Sequence, residues 1–103
     1  MHPISLTLSG PPETARLLAQ RVRALRLLRG WTRDTLAQRA GVTAASLKRF
    51  EDTGLGSLEL VLKTAHALAR LEEFARLLQP PPAQSIEELE RRASKPMRKR
   101  GRI

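Results

Sequence analysis

The sequence predicts an all-α fold, and three observations support this prediction. Apolar residues make up 41% of the 103-residue chain and aromatic residues only 3%, so the core must be built from Leu, Ala and Val. β-Branched residues are few outside the N-terminal residues, and apolar residues recur at helical spacing along most of the chain. The chain contains no cysteine, which excludes disulfides and thiolate metal sites. We expect one small helical domain with a short appendage.

Residues 1–12 are expected to precede this domain. Apolar and polar residues alternate strictly from Ile4 to Leu8, which favours a short strand, and Gly10-Pro11-Pro12 interrupts the pattern. A single strand has no partner inside a helical domain. The segment is therefore either a flexible leader or a strand that pairs with its copy in a dimer.

The first helix is predicted over residues 13–29. One face carries an apolar stripe, which comprises Leu17, Leu18, Val22, Leu25 and Leu28. The opposite face is basic and comprises Arg16, Arg23, Arg26 and Arg29. Gly30 is expected to terminate the helix.

Residues 30–51 are predicted to form two short helices joined by a tight turn. Thr32 and Thr43 are placed to cap the first and the second of these helices. Gly41 lies between them and supplies the left-handed residue on which a helix ends. This pattern is typical of a helix-turn-helix, whose second helix fits the major groove of B-DNA.

Two further helices and an appendage are expected beyond a loop at residues 52–56. Ser57 would cap the fourth helix, which extends to about residue 69 with Leu58, Val61, Leu62, Ala65 and Leu68 as its core face. The fifth helix covers about residues 71–78 and offers Leu71, Phe74, Leu77 and Leu78. We therefore assign residues 13–79 to the DNA-binding domain.

The appendage, residues 80–103, begins with a polyproline linker at residues 80–82. A capping box starting at Ser85 predicts a short helix to about residue 93. The remaining tail is too polar to fold alone and is expected to be flexible. Its cations are Lys95, Arg98, Lys99, Arg100 and Arg102.

Charge is distributed in three blocks along the chain. Residues 13–50 carry nine basic and two acidic side chains, and residues 91–103 carry seven basic and no acidic ones. Residues 51–90 carry three basic and eight acidic side chains. The formal net charge of +9 is therefore concentrated at the predicted helix-turn-helix and in the tail, which indicates a polyanionic partner.

The chain resembles the lambda-repressor/Cro class of helix-turn-helix regulators, also called the XRE type. The resemblance spans about forty residues and rests on Leu25-Arg26, Gly30-Trp31-Thr32, Leu36-Ala37, Ala40-Gly41-Val42, Ser46-Leu47, Phe50-Glu51 and Ser57-Leu58. It implies a five-helix domain that binds double-stranded operator DNA as a homodimer and represses transcription. It also implies a structural ion pair between Arg26 and Glu51.

A second resemblance is to HipB-like antitoxins, which accompany HipA-type kinase toxins. It rests on the segment Phe50-Glu51-Asp52-Thr53-Gly54, the sequence Ser57-Leu58-Glu59, the proline linker and the basic tail. It implies an antitoxin that represses its own operon and neutralises a kinase toxin. One alternative is a free-standing regulator without a toxin partner. Another is a protein-interaction module with only incidental DNA binding.

The predicted recognition helix supplies the candidate base-reading residues, which are Thr43, Ala44, Ala45, Lys48 and Arg49. An alanine can contact a thymine methyl group but donates no hydrogen bond, so specificity should depend on Arg49 binding guanine. Lys48 could read a base or contact a phosphate.

Phosphate contacts are expected from Thr32, Arg33 and Ser46. Thr32 has the alternative role of a helix cap. Trp31 is interpreted as a packed anchor rather than a residue that stacks on bases.

Catalysis, metal binding and cofactor binding are not expected. The two histidines, His2 and His66, are far apart in the sequence and accompany no catalytic or metal-ligand motif. No apolar run approaches the roughly 20 residues that cross a bilayer, and the N-terminus does not read as a signal peptide. We therefore expect no membrane partner and a cytoplasmic location, associated with the nucleoid when the protein is bound to DNA.

Overall fold

The computed structural model describes residues 10–93, with the side chains of residues 83–86 left out of the description. Every regular element in this range is a helix, so the prediction of an all-α fold is confirmed for residues 10–93. The helices are α1 (Pro11–Leu28), α2 (Arg33–Ala40), α3 (Ala44–Thr53), α4 (Leu58–Ala67), α5 (Leu71–Ala75) and α6 (Pro82–Ala93). The alternating N-terminal segment and the five tail cations lie outside the described residues.

Helix α1 begins at Pro11, two residues before the predicted start. The preceding residue, Gly10, is extended and acts as the N-cap. Proline is well suited to the first helical position, because the N–H that it lacks would have no partner within the helix. The Gly-Pro-Pro sequence therefore starts the helix, and residues 11 and 12 form its first turn.

The predicted caps and turn between α2 and α3 are confirmed. The Thr32 hydroxyl accepts a hydrogen bond from the Thr35 amide at 3.1 Å, and the Thr43 hydroxyl accepts one from the Ser46 amide at 3.0 Å. Gly41 ends α2 in the left-handed conformation, with φ of 75°. These local contacts set the path of the chain from α2 into α3.

Helix α3 continues to Thr53, although residues 52 and 53 were expected in a loop. It ends at Gly54, which has φ of 82°. A Cβ atom at this position would lie 3.0 Å from the backbone of both Ala15 and Arg16. The end of α3 therefore packs directly against the backbone of α1, and this contact requires glycine.

The core lies where α1 packs on α3 and where α2 packs on α3 and α4. Its buried apolar members are Ala19, Val22, Leu36, Ala37, Leu47, Phe50, Leu60, Val61, Ala65 and Leu68. Leu28 and Leu58 were expected in this core, but they are 81% and 68% exposed. Each is a terminal residue of its helix.

The predicted buried face of α4 is confirmed in part, because Val61, Ala65 and Leu68 are buried. Leu60 and Thr64 are buried, whereas Leu58 is exposed and Leu62 is only half-buried. The Thr64 hydroxyl donates to the Leu60 carbonyl at 2.8 Å, which satisfies this polar group inside the core. Apolarity alone missed Thr64, because a threonine that bonds its own helix can occupy a buried position.

The C-terminal helices also differ from their predicted bounds. Helix α4 ends at Ala67, and α5 stops at Ala75 rather than near residue 78. Leu78 adopts a positive φ of 61° and is fully exposed. Helix α6 begins at Pro82, so Ser85 lies inside the helix and is not its N-cap. No helix within residues 10–93 is both long and apolar enough to span a bilayer.

Candidate nucleic-acid interface

Helix α3 has one buried face and one exposed face. Leu47, Phe50 and Glu51 are at most 7% exposed and point into the domain. The opposite side, which we call the outer face of α3, comprises the exposed residues Ala44, Ala45, Lys48, Arg49 and Asp52. Four of the five predicted base-reading residues therefore share this surface.

The starts of α2 and α3 are capped by hydroxyl groups that were also predicted to contact DNA. Besides capping the helix, the Thr43 hydroxyl donates to the Ser46 hydroxyl oxygen at 2.8 Å. The Thr32 hydroxyl donates in the same way to the Thr35 hydroxyl oxygen at 3.0 Å. Both threonines are exposed, but their hydroxyl protons are used within the caps.

A buried ion pair joins α1 to α3. Arg26 donates to Glu51 through Nε at 2.8 Å and through Nη2 at 2.9 Å, and its Nη1 donates to the Trp31 carbonyl at 3.0 Å. The Arg26 side chain is 7% exposed and the Glu51 side chain 0%. The ion pair that the resemblance implies is thus present, with the two-point geometry that makes arginine–carboxylate pairs strong.

The environment shifts the pKa of both partners. Burial raises the pKa of the Glu51 carboxyl, but hydrogen bonds from Arg26 and Arg33 outweigh burial and leave that pKa below its usual value. The hydrogen bond with Glu51 raises the pKa of Arg26. Both side chains therefore carry their charges at neutral pH.

Arg33 belongs to the same network, which the sequence did not predict. Its Nε donates to Glu51 Oε1 at 2.9 Å, and its Nη2 donates to Asp52 Oδ1 at 3.1 Å. The side chain is 32% exposed. Arg33 therefore ties α2 to α3, and the phosphate contact predicted for it would have to coexist with these bonds or replace them.

Asp52 is the acidic residue of the outer face, and sequence reasoning missed it. Its Oδ2 accepts a hydrogen bond from Lys48 Nζ at 2.8 Å, and this bond holds the pKa of the Asp52 carboxyl below its usual value. The four-residue spacing from Lys48 was a usable signal, but it required α3 to extend past residue 51. Arg49, in contrast, forms no ion pair with any side chain in residues 10–93.

Two shallow hollows flank the outer face. One lies between α1, α2 and α3, and its lining includes Arg23, Arg33 and Lys48. The other lies between α3 and α4, and its lining includes Arg49 and Lys63. Arg23 and Lys63 were not among the predicted site residues, because only the packing of α1 and α4 brings them beside α3.

Trp31 packs as the predicted anchor. The guanidinium groups of Arg29 and Arg39 lie 5.1 and 4.6 Å from the centre of its ring. The half-buried indole contacts the core, and Arg29 Nη2 also donates to the Leu68 carbonyl at the end of α4 at 3.0 Å. This cluster stabilises the turn after α1.

Across residues 10–93, the structure brings no three acidic or histidine side chains together as metal ligands. The chain matches no protein-family model, no curated protein and no solved structure.

Proposed function

We propose that this protein is a sequence-specific DNA-binding repressor that inserts α3 into the major groove. In this proposal α1–α5 form a domain like that of the lambda-repressor class. The observation that carries the proposal is the exposed outer face of α3, which follows a capped helix and a left-handed Gly41. The opposite face of α3 packs inside the domain, so the residues of the outer face point to solvent, where a ligand can reach them.

The dimensions of α3 support insertion into the groove. A helix with its side chains is about 10–12 Å wide, and the major groove of B-DNA is about 12 Å wide. Ala44 and Ala45 at the start of α3 present only methyl groups, which permit close approach to the base edges. Arg49 then supplies a guanidinium that forms no ion pair within residues 10–93, and arginine is the residue that most often binds guanine O6 and N7.

The charges around α3 also support a DNA ligand. Arg23 lies on one side of the outer face, in the hollow against α1. Lys63 lies on the other, in the hollow against α4, where it forms an exposed ion pair with Glu59 at 3.3 Å. Cations on both sides of an inserted helix are placed to meet the two phosphate backbones that border a groove. The basic tail would add affinity that does not depend on sequence.

The dimeric state, the antitoxin role and the kinase partner stay predictions. They rest on the sequence resemblances, as do the cytoplasmic location and the association with the nucleoid. Copurification with a large partner, and rescue of growth when that partner is expressed, would distinguish an antitoxin from a free-standing regulator.

Selection from a randomised duplex library tests the proposal. The wild-type chain should enrich one sequence, and Arg49→Ala should weaken binding to that duplex by about 1–3 kcal/mol and relax one base position. Arg76→Ala is a matched control, because it removes the same charge from an exposed side chain that lies 3.9 Å from Glu72, away from α3. Failure to enrich any sequence, or equal effects of the two variants, would refute the proposal.

A further inference from the structure

The outer face of α3 carries an acidic residue where a DNA ligand would bring negative charge. Asp52 binds Lys48 at 2.8 Å and Arg33 at 3.1 Å, and the charge of Arg23 also acts on it. One carboxylate thus pairs with two of the cations best placed for DNA, and Arg33 also binds Glu51 at 2.9 Å. The Asp52 carboxylate is therefore not explained by affinity for DNA alone.

Stability of the helix does not account for Asp52. The residue lies in the last turn of α3, where the helix macrodipole disfavours negative charge. Lys48 precedes Asp52 by four residues. An ion pair in this order stabilises a helix less than one in which the acidic residue comes first. The side chains of Lys48 and Asp52 are 62% and 41% exposed, so water competes for both.

The bonds of Asp52 can therefore be exchanged at small cost. Exposed ion pairs contribute little to stability, and a phosphate or a base can replace the carboxylate as the partner of Lys48. Such an exchange is favoured only when the new partner is well placed. Base acceptors meet that condition at a cognate site and not at other sequences.

We propose that Asp52 is a specificity-determining residue, which keeps Lys48 and Arg33 paired on non-cognate DNA and releases Lys48 at the cognate site. This inference rests on the proposed function. Non-specific binding depends on the number of phosphates that cations neutralise. A carboxylate that pairs with two cations and repels phosphates lowers non-specific binding to DNA of every sequence. Binding to the cognate site is lowered less, because base contacts take over Lys48 there.

Asp52→Asn tests this inference, because it removes the charge and keeps the shape of the side chain. Two probes are needed, namely the duplex enriched by the wild-type chain and a pool of random-sequence duplexes of the same length. For the pool we expect affinity to rise roughly tenfold per added phosphate contact near 0.1 M salt, and the log–log salt slope to steepen by about 0.9 per contact. Affinity for the enriched duplex should rise by a smaller factor, so discrimination falls.

Glu73→Gln is the matched control. Glu73 is also an exposed carboxylate in an ion pair, at 2.7 Å from Arg70, and it lies on α5 rather than on α3. The substitution changes the net charge by the same amount, and it should leave both the salt slope and the discrimination ratio as in the wild-type chain. A steeper slope in both variants would show a general charge effect and overturn the inference.

Other outcomes are equally decisive. If the wild-type chain enriches a sequence but Asp52→Asn leaves the slope and the ratio unchanged, the inference fails and the proposed function stands. Equal gains on both probes would also overturn it, because Asp52 would then repel DNA without discriminating. If the wild-type chain enriches no sequence, the proposed function and the inference fail together.

Discussion

Glu51 and Asp52 are consecutive carboxylates of α3, but the first is buried and the second is exposed. The side chain of Glu51 is 0% exposed and binds arginines from α1 and α2, whereas that of Asp52 is 41% exposed and binds one cation from α2 and one from its own helix. Burial makes the first carboxylate part of the fold. Exposure leaves the second free to exchange its partners. A rotation of about 100° along one helix therefore separates a structural role from a proposed regulatory one.

Glu51→Ala should produce the largest effect on stability. It would leave the Arg26 guanidinium buried without its carboxylate partner, and breaking a buried pair in this way costs about 3–5 kcal/mol. That loss is large relative to the total stability of about 5–15 kcal/mol typical of a domain. Urea unfolding followed by circular dichroism measures it. A loss below about 1 kcal/mol would show that the network is not structural.

The pH dependence of unfolding tests the same carboxylate without deleting its side chain. The pKa of Glu51 is lower in the folded chain than in the unfolded chain, where it is about 4.3. The stabilisation is therefore fully present above pH 4.3 and is lost as the pH falls through the lower folded value. Glu51→Gln should be less stable at neutral pH and should lose less stability on acidification. Parallel pH profiles for the two chains would contradict this assignment.

Thr43 shows that exposure alone does not separate structural from functional residues. It is exposed and was predicted to read bases, yet its hydroxyl caps α3. Thr43→Ala should cost about 1 kcal/mol of stability, whereas Thr43→Asn, which retains a capping side chain, should cost less. Chemical denaturation of the three chains measures the difference. Equal stabilities of the three chains would show that Thr43 does not stabilise α3 as its cap.

The sequence predicted local structure better than the contacts between helices. Caps at Thr32 and Thr43 and the left-handed Gly41 depend on neighbours within four residues, so their residue types indicate them directly. The buried face of α4 depends instead on what packs against it, and Thr64 could not be recognised as a core residue from its polarity. The bond from Arg33 to Glu51 spans 18 positions, and no local pattern indicates it. The prediction treated residues 80–82 as a linker and therefore placed the start of α6 too late. Proline is compatible with the first turn of a helix, and α6 begins at Pro82.

The smallest effect is expected for the stability of Asp52→Asn, which completes the comparison with Glu51. The variant loses weak exposed ion pairs and also removes an unfavourable charge from the last turn of α3. These two changes oppose each other, so the midpoint of thermal unfolding at neutral pH should not decrease measurably. Glu51→Gln melted in parallel should show a clear decrease. If the two variants were destabilised equally, Asp52 would be as structural as its neighbour, and an altered preference for DNA in Asp52→Asn could then be a consequence of a disturbed α3.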